Sequence, residues 1–267
     1  MNERFFIVGC QRTGTTLLRL ILESHPDVFC YDELTSYATL QAGVPEALPG
    51  VSLVGFKIPR WTEQLTKKVL LDDGPEGPCD NFYRGEKILF LHRDVRDTVA
   101  SMVKLIAGES NWCEIWVPRI IEAKCMNDVT FRTRYQPEFD LIEKCSRPLI
   151  GVAGLYWKYK TESFFVYRDR GFPVLAVSYE RLVADSRRSL ESVCLHLGIP
   201  FHQDLLRHNE LRHSELFENG LTLGNTDPKK PIQTDSLGQW DRFLTQEDID
   251  IIANISGSLP DRIAALW

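Results

Sequence analysis

Phe5-Phe6-Ile7-Val8-Gly9-Cys10-Gln11-Arg12-Thr13-Gly14-Thr15-Thr16-Leu17-Leu18 is the stretch on which the reading of this chain turns. An apolar run ends at Gly9, a short Gly/Thr loop follows, and a helical pattern begins at once. Strand, loop and helix in that order aim backbone N–H groups and the positive end of a helix dipole at one spot, which favours an anion.

The spacing Gly9-x4-Gly14 is that of a nucleotide-triphosphate phosphate loop, which wants lysine after its second glycine and then Ser or Thr. Thr15 stands where that lysine belongs, and the loop's cation is Arg12. Without the lysine the loop lacks the usual grip on β- and γ-phosphates. A Gly/Thr-rich turn alone is only a helix-capping turn. The strand before it, the helix after it and the arginine inside it point to anion binding.

Outward from this loop, apolar runs alternate with helical patterns. Asp27–Cys30 reads as a second strand, Val51–Phe56 as a third, Lys87–Leu91 as a fourth and Pro173–Val177 as a fifth. Such continuous apolar runs suit a parallel sheet buried on both faces. The predicted fold is one P-loop-type, three-layer α/β domain over residues 1–267, with a central parallel sheet flanked by helices. Residues 107–147 read as a helical insertion over the acceptor site, and 61–71 as a helix. Arg19 and Glu23 read as a solvated i,i+4 pair, Asp32 and Glu33 as two carboxylates on extended backbone, and Trp157 and Trp240 as core. Arg12, Glu33, Lys57, Arg93 and Tyr179 each follow directly on a strand, and ligands of such sheets bind at the strands' carboxyl ends.

The totals fit a globular enzyme. The chain has 267 residues, 43% hydrophobic and 25% charged, with a net charge of −6, which disfavours a nucleic-acid or anionic-membrane surface. Seven cysteines form no C-x-x-C pair and read as reduced thiols. The six histidines show no metal-ligand spacing, so no metal is expected. Phe5–Cys10 is too short for a signal-peptide core, and no run approaches a membrane span, so the expected location is cytoplasmic.

Gln11–Thr16 and the stretch Leu91-His92-Arg93-Asp94-Val95-Arg96-Asp97-Thr98-Val99-Ala100-Ser101 together resemble the two nucleotide motifs of sulfotransferases that use 3′-phosphoadenosine 5′-phosphosulfate. Within that family the likeness is closest to the protein-tyrosine sulfotransferases. It rests on Arg12-x-Gly14-Thr15-Thr16-Leu17, His25-Pro26-Asp27-Val28, Asp32-Glu33, Lys57, Tyr179–Val183, and Lys230-Pro231 with Ser236 and Trp240. It runs from about residue 5 to about residue 245 and is weakest over 105–150.

The resemblance implies transfer of a sulfuryl group to an acceptor hydroxyl, leaving adenosine 3′,5′-bisphosphate. It implies Glu33 as general base, with Asp32 the runner-up, and Arg12 and Lys57 stabilising the transferring group. Arg12, Thr13, Gly14, Thr15 and Thr16 would hold the 5′-phosphosulfate, and Arg93 and Ser101 the 3′-phosphate. Tyr179 and Lys230 would add donor contacts, with Ser236, Asn225 and Thr226 weaker candidates. His92 precedes the phosphate arginine and reads as packed at its strand end. Two rival classes are a P-loop kinase or ATPase, which would want lysine at Thr15, and an inactive nucleotide-binding module, which would tolerate loss of Glu33 and Lys57. Neither the acceptor nor the oligomeric state is legible.

Overall fold

The apolar runs form a single parallel sheet in the computed structural model, which describes residues 2–42, 47–65, 86–107, 110–211 and 226–266. The strands are β1 (Glu3–Gly9), β2 (Val28–Tyr31), β3 (Leu53–Lys57), β4 (Lys87–His92) and β7 (Val174–Ser178), in the spatial order β2-β3-β1-β4-β7. Every pairing is parallel, with Phe6 opposite both Phe56 and Ile88. The α/β fold with a central parallel sheet flanked by helices is therefore what the residues adopt. Within the helix expected over 61–71, Trp61 closes a 3-10 turn at Pro59–Trp61 and residues 62–65 are not helical. Residues 66–85, Cys79 among them, and Asn225 lie outside the described residues.

The chain packs as two compact units. The first comprises Met1–Thr62, Asn81–His92 and Phe164–Asp235, and it holds the whole sheet. On one face Phe5, Ile7, Leu89 and Leu91 meet Leu18, Ile21 and Leu22 of α1 (Thr15–Glu23) and Leu190, Val193 and Leu197 of the helix Ser186–Leu197. On the other face Phe56 stacks on Phe6 and Tyr31, and Phe164 lies edge-on to Phe90. Each fully buried side chain of this kind stabilises the fold by about 1.5–3 kcal/mol. The strand order reverses at β1, whose neighbours β3 and β4 come later in the chain on opposite sides. The crevice beyond its carboxyl end is where such a sheet takes a ligand, and the Gly9–Gly14 loop occupies that position.

Arg19 corrects the sequence reading. It is fully buried, donates from Nη1 to the Cys30 carbonyl at 3.2 Å, and lies 3.5 Å from Glu23. The 3-10 segment Gln203–Glu210 packs on α1 and adds Leu205 to the core. Arg19 itself turns toward β2, which bears Cys30, on ground that helical periodicity assigns to solvent.

The second unit comprises Glu63–Asp80, Arg93–Ser163 and Ser236–Trp267. Its described helices include α3 (Val95–Val103), α4 (Trp112–Asn127), α5 (Val129–Arg134) and α6 (Gln136–Lys144), with a two-residue antiparallel pair, β5 (Ile106–Ala107) and β6 (Ser110–Asn111), between α3 and α4. Asn111 caps α4 and Asp128 caps α5 through their side chains. Phe131 packs on Tyr135 and Tyr159, and Trp112 on Tyr156, so these aromatics build the unit's interior.

One charge cluster lies in that interior. Glu63 receives Lys124 on Oε1 and Lys160 on Oε2, both at 2.6 Å, and Lys160 is 1% exposed. Burial pushes the Glu63 carboxyl up, but the two ammonium groups outweigh it and hold the pKa at about 2. A carboxyl depressed in the folded state contributes stability that is present above its unfolded pKa and lost as pH falls through the folded one. The loss from this group therefore falls between about pH 4.5 and about pH 2. Glu63→Gln strands two buried ammonium groups and is expected to cost roughly 3–5 kcal/mol at pH 7. Urea unfolding of both proteins at pH 7 and pH 3 checks this: an equal gap at the two pH values counts against the ion cluster.

Candidate active site

The loop after β1 is shaped by its backbone. Gly9 has φ 138°, Arg12 φ 75° and Gly14 φ 96°. A side chain at Gly9 would strike the Leu91 carbonyl, and one at Gly14 would run into the Tyr179 ring. Arg12 accepts the left-handed conformation without being glycine, a strained arrangement of the kind found at functional sites. Gly14 is the N-cap of α1 and provides no side-chain cap. The first N–H groups of a helix have no partner within it, so those of α1 remain available in the concavity of the loop.

Within the loop the threonines differ. Thr13 is fully buried, and both its hydroxyl and its N–H donate to the Cys10 carbonyl, at 2.7 and 3.2 Å. Its hydroxyl therefore serves the turn. Thr15 and Thr16 open α1, Thr15 buried and Thr16 half-buried. Thr62 ties the loop to the segment after β3, because its Oγ1 accepts the Gly9 N–H at 3.0 Å and lies 2.8 Å from the Gly9 carbonyl oxygen. No sequence pattern signals Thr62, since its partner is 53 residues away.

Beside the loop lies an ion pair. β3 ends at Lys57, directly opposite Ile7 of β1. Its Nζ donates to Glu33 Oε2 at 2.8 Å, and Tyr37 Oη donates to Glu33 Oε1 at 3.3 Å. Both carboxylate oxygens are thus oriented. The extended backbone expected at Asp32-Glu33 is corrected here. Glu33 is the first residue of α2 (Glu33–Ala42), and Asp32 precedes it, accepting the Thr35 N–H at 2.9 Å. The two carboxylates divide the work: Asp32 holds the helix start, and Glu33 faces Lys57. Lys57 is 7% exposed, and its N–H donates to Ser36 Oγ at 3.0 Å.

Arg12, Thr13, Gly14, Thr15, Thr16, Glu33, Lys57 and Tyr179 belong to the first unit. Tyr179 is 8% exposed, with its ring against Gly14. Lys230 is exposed in a turn where its N–H donates to the Asp227 carbonyl at 3.2 Å, and it is not packed among them. His92 is buried, and burial together with the Arg181 charge pushes its pKa down to about 4. It is neutral and weakly basic at pH 7, as its place at a strand end implies.

In the second unit Arg93 precedes α3, and Ser101 lies on that helix. Arg93 is 8% exposed, its Nη2 donates to the Ser236 carbonyl, and it lies 3.7 Å from Asp97. Asp94 caps α3, accepting from the N–H groups of Arg96 and Asp97, and also binds the Arg96 guanidinium. Trp240 is not the core residue expected from its type: it is half-buried under the Arg96 guanidinium, 4.2 Å from the ring centroid. Trp157 is core, at 1% exposure.

Among the described residues no group of three or more His, Cys, Asp or Glu is placed to hold a metal ion. Among the same residues no helix is long and apolar enough to cross a membrane.

Comparison with known proteins agrees with the motifs. Residues 4–62 match the model of the Sulfotransferase family. A putative protein-tyrosine sulfotransferase of Caenorhabditis briggsae is 22% identical over 254 residues, covering 90% of this chain and 81% of the relative. Among solved structures, a sulfotransferase domain from the curacin biosynthetic pathway superposes with a TM-score of 0.58 at 14% identity, covering 96% of this chain and 98% of that one. A mouse sulfotransferase complexed with PAP superposes with a TM-score of 0.52 at 15% identity, over 99% of this chain and 88% of that one. The structural likenesses show the fold. The family match and the relative bear out the resemblance to sulfotransferases.

Proposed function

We propose that this protein is a sulfotransferase that moves a sulfuryl group from 3′-phosphoadenosine 5′-phosphosulfate to an acceptor hydroxyl. The observation that carries the reading is the Glu33–Lys57 pair at 2.8 Å, which joins the start of α2 to the end of β3, the strand paired with β1 and its loop, whose helix lacks a side-chain cap. The mouse neighbour solved with PAP supports the choice of nucleotide.

When bound, the donor supplies an electrophilic sulfur and an adenosine 3′,5′-bisphosphate leaving group. Bond formation from the acceptor oxygen to sulfur accompanies cleavage of the bond from sulfur to the 5′-phosphate oxygen. Glu33 takes the acceptor's proton, with its carboxylate oriented by Lys57 and Tyr37. Lys57 and Arg12 stabilise charge on the sulfonate and on the departing phosphate oxygen. Fixed cations of this kind do most of the work where charge develops in a transition state. The N–H groups of the loop, with Gly14, Thr15 and Thr16, hold the 5′-phosphate, and Thr13 supports the loop from inside. Arg93 and Ser101 hold the 3′-phosphate, while Tyr179 and Lys230 add contacts to the donor. Cationic side chains fill the place that Mg²⁺ takes in phosphoryl transfer.

Thermal shift with adenosine 3′,5′-bisphosphate and with Mg²⁺-ATP tests the donor. A ligand at 100 times its Kd adds about 2.7 kcal/mol of stability. The bisphosphate is expected to stabilise the wild type, ATP to do so poorly, and Arg93→Ala to erase the difference. A stronger shift with Mg²⁺-ATP would return the chain to the kinase class.

A further inference from the structure

Asp97 is more heavily engaged than a helix-surface carboxylate. It sits in the first turn of α3 and is 4% exposed. Its Oδ2 accepts the Gly238 N–H at 2.9 Å, and its Oδ1 accepts the Trp240 N–H at 3.1 Å. Arg93 Nη2, which donates to the Ser236 carbonyl, lies 3.7 Å from the same Oδ2. Arg93, Asp97 and the 236–240 segment therefore close a ring of polar contacts within the second unit. Arg96 closes it further, held by Asp94 at 2.7 Å and lying over Trp240. Asp97 and Ser101 are four residues apart on α3, the spacing that puts helical side chains on one face, and Arg93 lies just before the Asp94 cap.

We infer that Asp97 is a positioning residue for recognition of the donor's 3′-phosphate: it fixes the 236–240 segment and, through that segment and directly, the guanidinium of Arg93. The inference rests on the sulfotransferase reading above. Asp97 touches neither donor nor acceptor in it. An arginine side chain loses rotamer entropy when it is fixed, and a guanidinium held before the ligand arrives loses less of it on binding. Both carboxylate oxygens are needed because each accepts one backbone N–H. An asparagine of the same shape would present its NH₂ to one of those donors and leave a buried N–H unsatisfied.

The test is the ratio of affinities for adenosine 3′,5′-bisphosphate and adenosine 5′-monophosphate, measured by calorimetry on the wild type, Asp97→Asn and Asp97→Glu. The two nucleotides differ only in the 3′-phosphate. Asp97→Asn is expected to lower the ratio about 10–100-fold, the range set by hydrogen bonds to charged groups, with affinity for the monophosphate within about threefold of wild type. Asp97→Glu keeps the charge, displaces it by one methylene, and should lower the ratio by less. In an Arg93→Ala background neither change should alter the ratio further, because the effect runs through Arg93. A role in packing alone predicts that both affinities fall together with the melting temperature, and that result overturns the inference. So does a wild-type ratio in both variants. Absence of any 3′-phosphate preference in the wild type is a different failure, since it removes the donor reading on which this one stands. If Asp97→Asn gives no cooperative melt, Asp97→Glu decides the matter by the same ratio.

Discussion

An enzyme carrying Glu33→Gln turns over about 10²–10⁴-fold more slowly than the wild type with any hydroxyl acceptor the wild type accepts, the loss typical of a missing general base. Glutamine has nearly the volume of glutamate and its amide oxygen can still accept from Lys57 Nζ, 2.8 Å away in the parent. The surroundings of the strand end are therefore preserved while the proton acceptor is lost. Affinity for adenosine 3′,5′-bisphosphate should change little, which separates a chemical defect from a collapsed site. Asp32→Asn is the matched control. Asp32 accepts the Thr35 N–H at the start of α2, and asparagine caps nearly as well as aspartate, so turnover should stay within a fewfold of wild type. Near-normal turnover in Glu33→Gln would falsify the assignment of the base. A large loss in Asp32→Asn with a small one in Glu33→Gln would exchange the two roles.

That contrast between neighbours marks where the sequence stops being informative. The sheet was legible because each strand is a continuous apolar run, and burial on both faces leaves little room for another reading. The phosphate loop was legible because its glycines sit where the backbone must turn with positive φ, at Gly9 and Gly14. The partition between Asp32 and Glu33 was not, since it depends on whether α2 begins at residue 33 or later, and helix boundaries are weakly encoded. Arg19 failed for a different reason. Its guanidinium donates to the Cys30 carbonyl on β2, a contact between elements that helical periodicity does not report. Thr62 and Asp97 share that character: their partners are 53 and 141–143 residues away. Asp97 did leave a trace, because it lies four residues after Arg93 inside a recognised motif. The trace identifies a neighbour but does not say that its carboxylate reaches two backbone N–H groups.

The second large effect is expected at Gly14. Gly14→Ala should reduce kcat/KM by about 10²-fold, the scale of loss when a reacting group is displaced by about 1 Å. Two costs coincide there. At φ 96° an alanine is forced into left-handed space, at about 1–2 kcal/mol. Its methyl would also meet the Tyr179 ring, whose Cε2 lies 2.7 Å from the position a Cβ would take. Tyr179 is 8% exposed, so a rigid ring with little free space must give way, or the loop must. If the loop moves, the first N–H groups of α1 are re-aimed, and the 5′-phosphate contacts are lost with them. Gly171→Ala separates these costs. Gly171 has φ 76° and open space where its Cβ would stand, so it pays the backbone term alone. Stability measured by urea unfolding should fall in both variants, and further in Gly14→Ala. Affinity for adenosine 3′,5′-bisphosphate should fall only in Gly14→Ala. If the two variants bind the bisphosphate equally well, the loop does not depend on the contact between Gly14 and Tyr179, and the geometry assigned to the phosphate site at the head of α1 is wrong.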